Sequence, residues 1–155
     1  MFKNRDVDVE NDFGKEWKTY NQKNIDFDEI NELFNHYFKI FPFEKISKNS
    51  EGFDMGCGSG RWAQFIAPKV KKLNCIEPSQ DALETAKLNL EKFLNCDFEN
   101  GDIMTNSLKE NSQDFGYSLG VIHHIPDPKL GLINCVKKLK KGAPFLLYLY
   151  FKFDN

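Results

Sequence analysis

Three glycines in five residues, Gly56, Gly58 and Gly60, stand between a short apolar run (Phe53 to Met55) and a segment of helical period (Arg61 to Ala67). Glycines so placed let a backbone turn sharply and approach a ligand with no Cβ in the way. The N–H groups that open the following helix then face the ligand, which favours an anionic group such as a carboxylate or phosphate. Glu77 closes the next apolar run, Leu73 to Ile76. A carboxylate at that point can accept both hydroxyl protons of a ribose. Asp102, after Gly101, is placed to accept from an exocyclic amine such as that of adenine, or equally to cap a turn. His123 and His124 titrate near neutrality and are candidate bases, unless they only fill a pocket or cap the helix that follows.

Other chemistries find less support. His36 is the third and last histidine, and no Ser or Cys has a matched base and orienter in view. Cys57, Cys75, Cys96 and Cys135 are unevenly spaced with no C-x-x-C pair, which suits neither zinc nor a disulfide scaffold. They read as small core residues in a reducing compartment. A nicotinamide-binding G-x-G-x-x-G would need its third glycine where Arg61 stands, and no G-x-x-x-x-G-K-[ST] is present.

The elements that must position these groups alternate. Asp26-x-x-Glu29 is an acidic version of a capping box, with Ile25 and Ile30 as its hydrophobic staple. Ile30, Leu33, Phe34, Tyr37, Phe38 and Phe41 then form one helical face, stopped by Pro42. Strands are expected at Phe53 to Met55 and Leu73 to Ile76, with a helix from the N-cap Ser79 to about Leu94. A weak strand follows at Cys96 to Glu99, and a fourth at Phe115 to Leu119. Residues 104–113 carry no period. Asp127 caps a helix that starts at Pro128 and is closed by Gly142, and Ala143 to Phe151 is an apolar fifth strand. Strands alternating with helices imply a parallel α/β sheet joined by right-handed crossovers. Ligands bind such sheets beyond the carboxyl ends of the strands, which is where the glycines, Glu77, Asp102 and the histidines fall.

Composition sets the frame. A chain of 155 residues is about one domain, and 41% hydrophobic with 28% charged residues is ordinary globular usage. The net charge is −2, and nearly all positive charge is Lys, so no nucleic-acid partner is expected. No apolar run approaches the length of a membrane span, and the charged N-terminus lacks the stretch of a secretory signal, which points to the cytoplasm. Residues 1–49 read as an N-terminal arm with a cap helix, and 50–155 as the ligand-binding core of one domain.

Asp54-Met55-Gly56-Cys57-Gly58-Ser59-Gly60 resembles the D-x-G-x-G-x-G loop of class I S-adenosylmethionine-dependent methyltransferases. Cys75-Ile76-Glu77-Pro78-Ser79, Asn100-Gly101-Asp102-Ile103, Gly120-Val121-Ile122-His123-His124-Ile125-Pro126-Asp127 and Leu139-Lys140-Lys141-Gly142 match the same family in order. The similarity spans about residues 50 to 151 and is closest to the small-molecule types 11 and 12. Phe13-Gly14-x-Glu16-Trp17 also resembles the N-terminal cap of some bacterial members.

The resemblance implies a Rossmann-like doubly wound parallel sheet in the order 3-2-1-4-5, under an N-terminal helical cap. It also implies a residue map. Gly56, Cys57, Gly58 and Gly60 would bracket the methionine portion of S-adenosylmethionine, with Asp54 near its amino group. Glu77 would hold the ribose, Pro78 or Ser79 would flank the adenine, and Asp102 and Ile103 would meet that ring. Gly120 and Val121 would line the sulfonium side, leaving His123 and His124 to face a small-molecule acceptor. The family's sheet has two further strands, so the sequence reads as ending in strand five. A truncated or cofactor-binding, non-catalytic chain is therefore the alternative. Its apolar fifth strand is expected to be an edge that invites self-association.

Overall fold

The computed structural model describes residues 26–150. The aromatic leader around Trp17, the staple residue Ile25 and the end of the expected fifth strand lie outside the described residues. Helix α1 (Phe27–Tyr37) is followed by strand β1 (Glu51–Met55), the short helix α2 (Ala63–Ile66), β2 (Lys72–Glu77) and α3 (Gln80–Asn89). Then come β3 (Cys96–Asn100), β4 (Phe115–Leu119), α4 (Pro128–Lys138) and β5 (Phe145–Tyr148). The five strands form one sheet in the order β3-β2-β1-β4-β5, and every neighbouring pair is parallel.

The helix ends follow local chemistry. Asp26 accepts a hydrogen bond from Asp28 N, Ser79 from Ala82 N, and Asp127 from Leu130 N, so each expected cap is formed by its own side chain. Two helices stop sooner than their apolar periods suggest. α1 ends at Tyr37, and Phe38 caps it with its own N–H, leaving Phe41 in a turn that still points into the core. α3 ends at Asn89 with Leu90 as cap, and Leu94 is 96% exposed. Burial without helix continuity accounts for Phe41, whereas Leu94 is left in solvent. β5 starts at Phe145, after Pro144, which has no N–H to give a ladder.

The sheet separates two apolar layers. Phe34, Phe38 and Phe41 pack with Ile66, Leu83, Leu90, Cys75 and Tyr117 on one face. Phe53, Met55 and Ile76 pack with Ile122, Cys135 and Leu139 on the other. α1, α2 and α3 thus share a face and α4 covers the opposite one. Two glycines make the close packing at the sheet centre possible. Gly52 lies opposite Phe115 and Gly116 opposite Phe53, and a Cβ at either would stand 2.3 Å from the facing ring. Removing one of the large buried rings, as in Phe38→Ala, would cost about 3–5 kcal/mol.

All four cysteines are buried free thiols. Among the described residues, no group of three or more His, Cys, Asp or Glu side chains is placed to hold a metal ion. No helix among them is long and apolar enough to cross a membrane.

Candidate functional site

β1 runs into a loop in which Gly56, Gly58 and Gly60 all have positive φ, at 80°, 54° and 78°. The outer two are also sterically fixed. A Cβ at Gly56 would lie 2.5 Å from Val121, and one at Gly60 would lie 2.7 Å from Leu90. The loop is anchored from both sides. Gly56 N and Cys57 N donate to Ile76 O at 2.8 and 3.0 Å, and Asn89 Nδ2 of α3 donates to Ser59 O at 3.0 Å.

Glu77, at the end of β2, locks onto the same loop. One carboxylate oxygen accepts from Gly58 N at 2.9 Å and the other from Ser79 N at 3.0 Å. A carboxylate offers about four acceptor positions, so these bonds orient Glu77 without exhausting it. Asn100 Nδ2 bridges Glu77 O and Pro78 O, tying the end of β3 to the end of β2. Asp102 is buried, and its Oδ1 accepts from Met104 N at 2.6 Å and Thr105 N at 2.9 Å. The turn-capping role anticipated for Asp102 is therefore present. Ile103 beside it is buried.

Asp54 lies in register with Cys75 on one side and Tyr117 on the other, and is 2% exposed. Burial pushes its carboxyl up to about 8; the Tyr117 hydroxyl draws it back in part, and the charge of Glu77 adds to the rise. Despite that proximity, Asp54 Oδ2 and the Tyr117 hydroxyl have no hydrogen-bond partner of good geometry among the described residues.

Across β1, the site changes character. Gly120 follows β4 with φ 74° and donates its N–H to Tyr148 O at 2.9 Å. Val121 leads into a 3-10 turn, Ile122–His124, which places the two imidazoles 4.0 Å apart. Both ring nitrogens of His123 are buried without a hydrogen-bond partner among the described residues. Burial, and then the neighbouring His124, hold His123 below the usual histidine range; burial alone does the same to His124.

The structure thus brings Gly56, Cys57, Gly58, Gly60, Glu77, Pro78, Asp102, Ile103, Gly120, Val121, His123 and His124 to the carboxyl edge of the sheet. Asp54 is instead buried on the α1–α3 face just beneath that edge. Sequence reasoning missed an aromatic wall beside the histidines. Tyr150 stands 5.1 Å from His123 and 5.3 Å from Tyr148, and Tyr148 stands 4.8 Å from Tyr37. The signal was there: residues 148 and 150 alternate, so both tyrosines project to one side of an extended chain.

The sequence profile described as "Methyltransferase domain" matches residues 53–147. An uncharacterized RNA methyltransferase of Clostridium tetani is 33% identical, over 48% of this chain and 21% of that protein. The ubiquinone biosynthesis O-methyltransferase of Idiomarina loihiensis is 26% identical, over 79% of this chain and 60% of its own length. Among solved structures, phosphoethanolamine N-methyltransferase 1 of Haemonchus contortus, in complex with phosphoethanolamine and S-adenosylhomocysteine, superposes with a TM-score of 0.67. It is 17% identical, over 88% of this chain and 31% of that one, which speaks for the fold alone. The chain spans only part of each of these proteins.

Proposed function

This chain belongs to the methyltransferase-domain family, and from that premise we propose that it binds S-adenosylmethionine and methylates a small-molecule acceptor. The observation that carries the reading is the Glu77 carboxylate, fixed by Gly58 N and Ser79 N beside a loop of three positive-φ glycines. Two features fit the cofactor. Two of the acceptor positions of Glu77 are used by Gly58 N and Ser79 N, and the buried Asp54 carboxyl, with Oδ2 unpartnered among the described residues, would ionise beneath a cationic ligand that offsets its burial.

In this arrangement Gly56, Cys57, Gly58 and Gly60 bracket the methionine portion, and Asp54 supports its amino group from below. Pro78, Ile103 and Asp102 Oδ2 border the adenine. Gly120 and Val121 line the sulfonium side. When bound, S-adenosylmethionine supplies an electrophilic methyl group, and the protein's task is alignment. The Idiomarina relative's name, an O-methyltransferase, supports a hydroxyl acceptor. A hydroxyl needs a base as it attacks. His123, neutral at physiological pH and with both nitrogens lacking a partner among the described residues, takes that proton, and His124 packs against its ring.

Calorimetric titration with S-adenosylmethionine, S-adenosylhomocysteine and NADH tests the reading. Binding of the first two and none of NADH is expected. Tight NADH binding with no response to S-adenosylmethionine would replace it with an oxidoreductase.

A further inference from the structure

We propose that the cofactor enters this site in exchange for a proton. Asp54 is a neutral carboxylic acid in the unliganded protein and becomes a carboxylate beneath the ammonium of the methionine portion when S-adenosylmethionine binds. Uptake of the cofactor is thereby coupled to pH and weakens as pH falls. The proposal rests on the cofactor reading and adds to it a charge state for the cradle.

The geometry disfavours an ionised Asp54 in the protein alone. Asp54 is 2% exposed, at the last residue but one of β1, in register with Cys75 on β2 and Tyr117 on β4. Its Oδ2 has no hydrogen-bond partner among the described residues, and neither has the Tyr117 hydroxyl. The layer that holds Tyr117 and Cys75 is apolar. Phe38 of α1 meets the Tyr117 ring edge to face at 5.3 Å, and Ala63 and Ile66 of α2 are fully buried in the same layer.

The titratable groups that act on Asp54 come from each surrounding segment, and none is a cation. β4 presents Tyr117, β2 presents Cys75 and Glu77, the glycine loop presents Cys57, and β3 presents Cys96. Burial, and then the charge of Asp54 itself, hold the Tyr117 phenol well above its ordinary range, so it stays neutral. The three cysteines are buried free thiols, and the charge of Glu77 opposes a second negative charge nearby. A carboxylate taken from water and left without a cation reverts to its neutral form. Burial accordingly raises Asp54 to about 8.

A bound ammonium changes that balance. Asp54 stands two residues before Gly56, beneath the loop, whereas Glu77 already accepts from Gly58 N and Ser79 N. A cation within about 4–6 Å makes a carboxyl about 10- to 1000-fold more acidic. The exchange balances simply. The ammonium arrives charged and keeps its protons, the Asp54 O–H bond breaks, and that proton passes to the buffer.

Calorimetry provides the test. S-adenosylhomocysteine, which carries the amino-acid portion, and methylthioadenosine, which lacks it, are titrated in PIPES and in Tris, buffers of different ionisation enthalpy. The wild type should release roughly half a proton or more per S-adenosylhomocysteine at about pH 7, and bind it roughly 5- to 50-fold tighter at about pH 8 than at about pH 6. Methylthioadenosine should show neither effect, which separates Asp54 from the histidines. Asp54→Asn, checked for a cooperative melt, should bind S-adenosylhomocysteine with no proton release and no such pH dependence. Tyr117→Phe removes a hydroxyl that favours the charged form, so the rise in affinity should move to higher pH; it carries the test if the Asn variant does not fold. Binding of S-adenosylhomocysteine without proton release overturns the proposal and leaves the cofactor reading standing. So does proton release that persists in Asp54→Asn or that methylthioadenosine matches. No binding of S-adenosylhomocysteine at any pH sinks the cofactor reading, and the proposal with it.

Discussion

The two halves of the sheet's carboxyl edge are built by different means. On the β2–β3 side, the glycine loop, Glu77, Asn100 and Asp102 are joined by hydrogen bonds between backbone and short side chains. On the β4–β5 side, His123, Tyr148, Tyr150 and Tyr37 are held by ring packing, and both His123 nitrogens lack a partner among the described residues. The first half is fixed before any ligand arrives and suits a group of constant shape. The second holds two buried ring nitrogens with no partner among the described residues, and its shape depends on a few exchangeable side chains. The proposed reading assigns the first half to the cofactor and the second to the acceptor.

Breaking the β4–β5 half should affect turnover most. His123→Ala should lower methyl transfer to a hydroxyl acceptor about 10²–10⁴-fold while S-adenosylhomocysteine affinity is nearly unchanged. Single-turnover kinetics beside calorimetry would show it. Equal losses in both would mean that the imidazole only holds the pocket together.

The next effect sharpens the comparison through pH. Asp54 titrates at about 8 in the folded chain against 3.8 as an ordinary carboxyl, so the native state keeps a proton that the unfolded chain loses. Stability from this group is complete below about pH 4, falls as pH rises toward about 8 and is level beyond, by up to a few kcal/mol. His123 and His124, both lowered from 6.5, act the other way: their contribution is present above that value and lost as pH falls below it. Thermal melts across pH should therefore show Asp54→Asn more stable than the wild type near pH 8 and with a flatter slope between 4 and 8. An unchanged slope would contradict a protonated Asp54.

Asp102→Asn should be the mildest. The amide keeps an acceptor oxygen for the turn, so a loss of about 1 kcal/mol in cofactor binding is expected by calorimetry, well short of Glu77→Ala.

The β1–β3 half was far more legible in the sequence. Glycine is favoured where φ is positive, as at Gly56, Gly58 and Gly60, and Glu77 and Asp102 follow their strands at fixed positions, so local rules sufficed. The strand alternation likewise predicted a parallel sheet, and the resemblance supplied its order. What escaped depends on distant chain segments. Tyr148 and Tyr150 read only as members of an apolar strand, because the partner that makes them a wall, Tyr37, lies on a helix more than a hundred residues earlier. Asp54 carried no sign of its weakened acidity, which comes from burial under α1 and α3. The pairing of Gly52 with Phe115 and Gly116 with Phe53 needed the register to become visible. Phe41 and Leu94 misled the helix ends because apolar spacing reports burial or its opportunity, whichever way the backbone runs.

If Glu77 and the glycine loop form a preorganised cofactor cradle, one calorimetric comparison will show it. S-adenosylhomocysteine is titrated into the wild type, Glu77→Ala and Gly58→Val, each checked for a cooperative melt. Loss of charge-assisted hydrogen bonds to the ribose, at about 1.5–3 kcal/mol, predicts roughly 10- to 100-fold weaker binding in Glu77→Ala. Gly58→Val should bind at least as poorly, since valine is strained at φ 54° and brings a side chain to the loop's ligand face. Wild-type affinity in both variants would contradict the cradle.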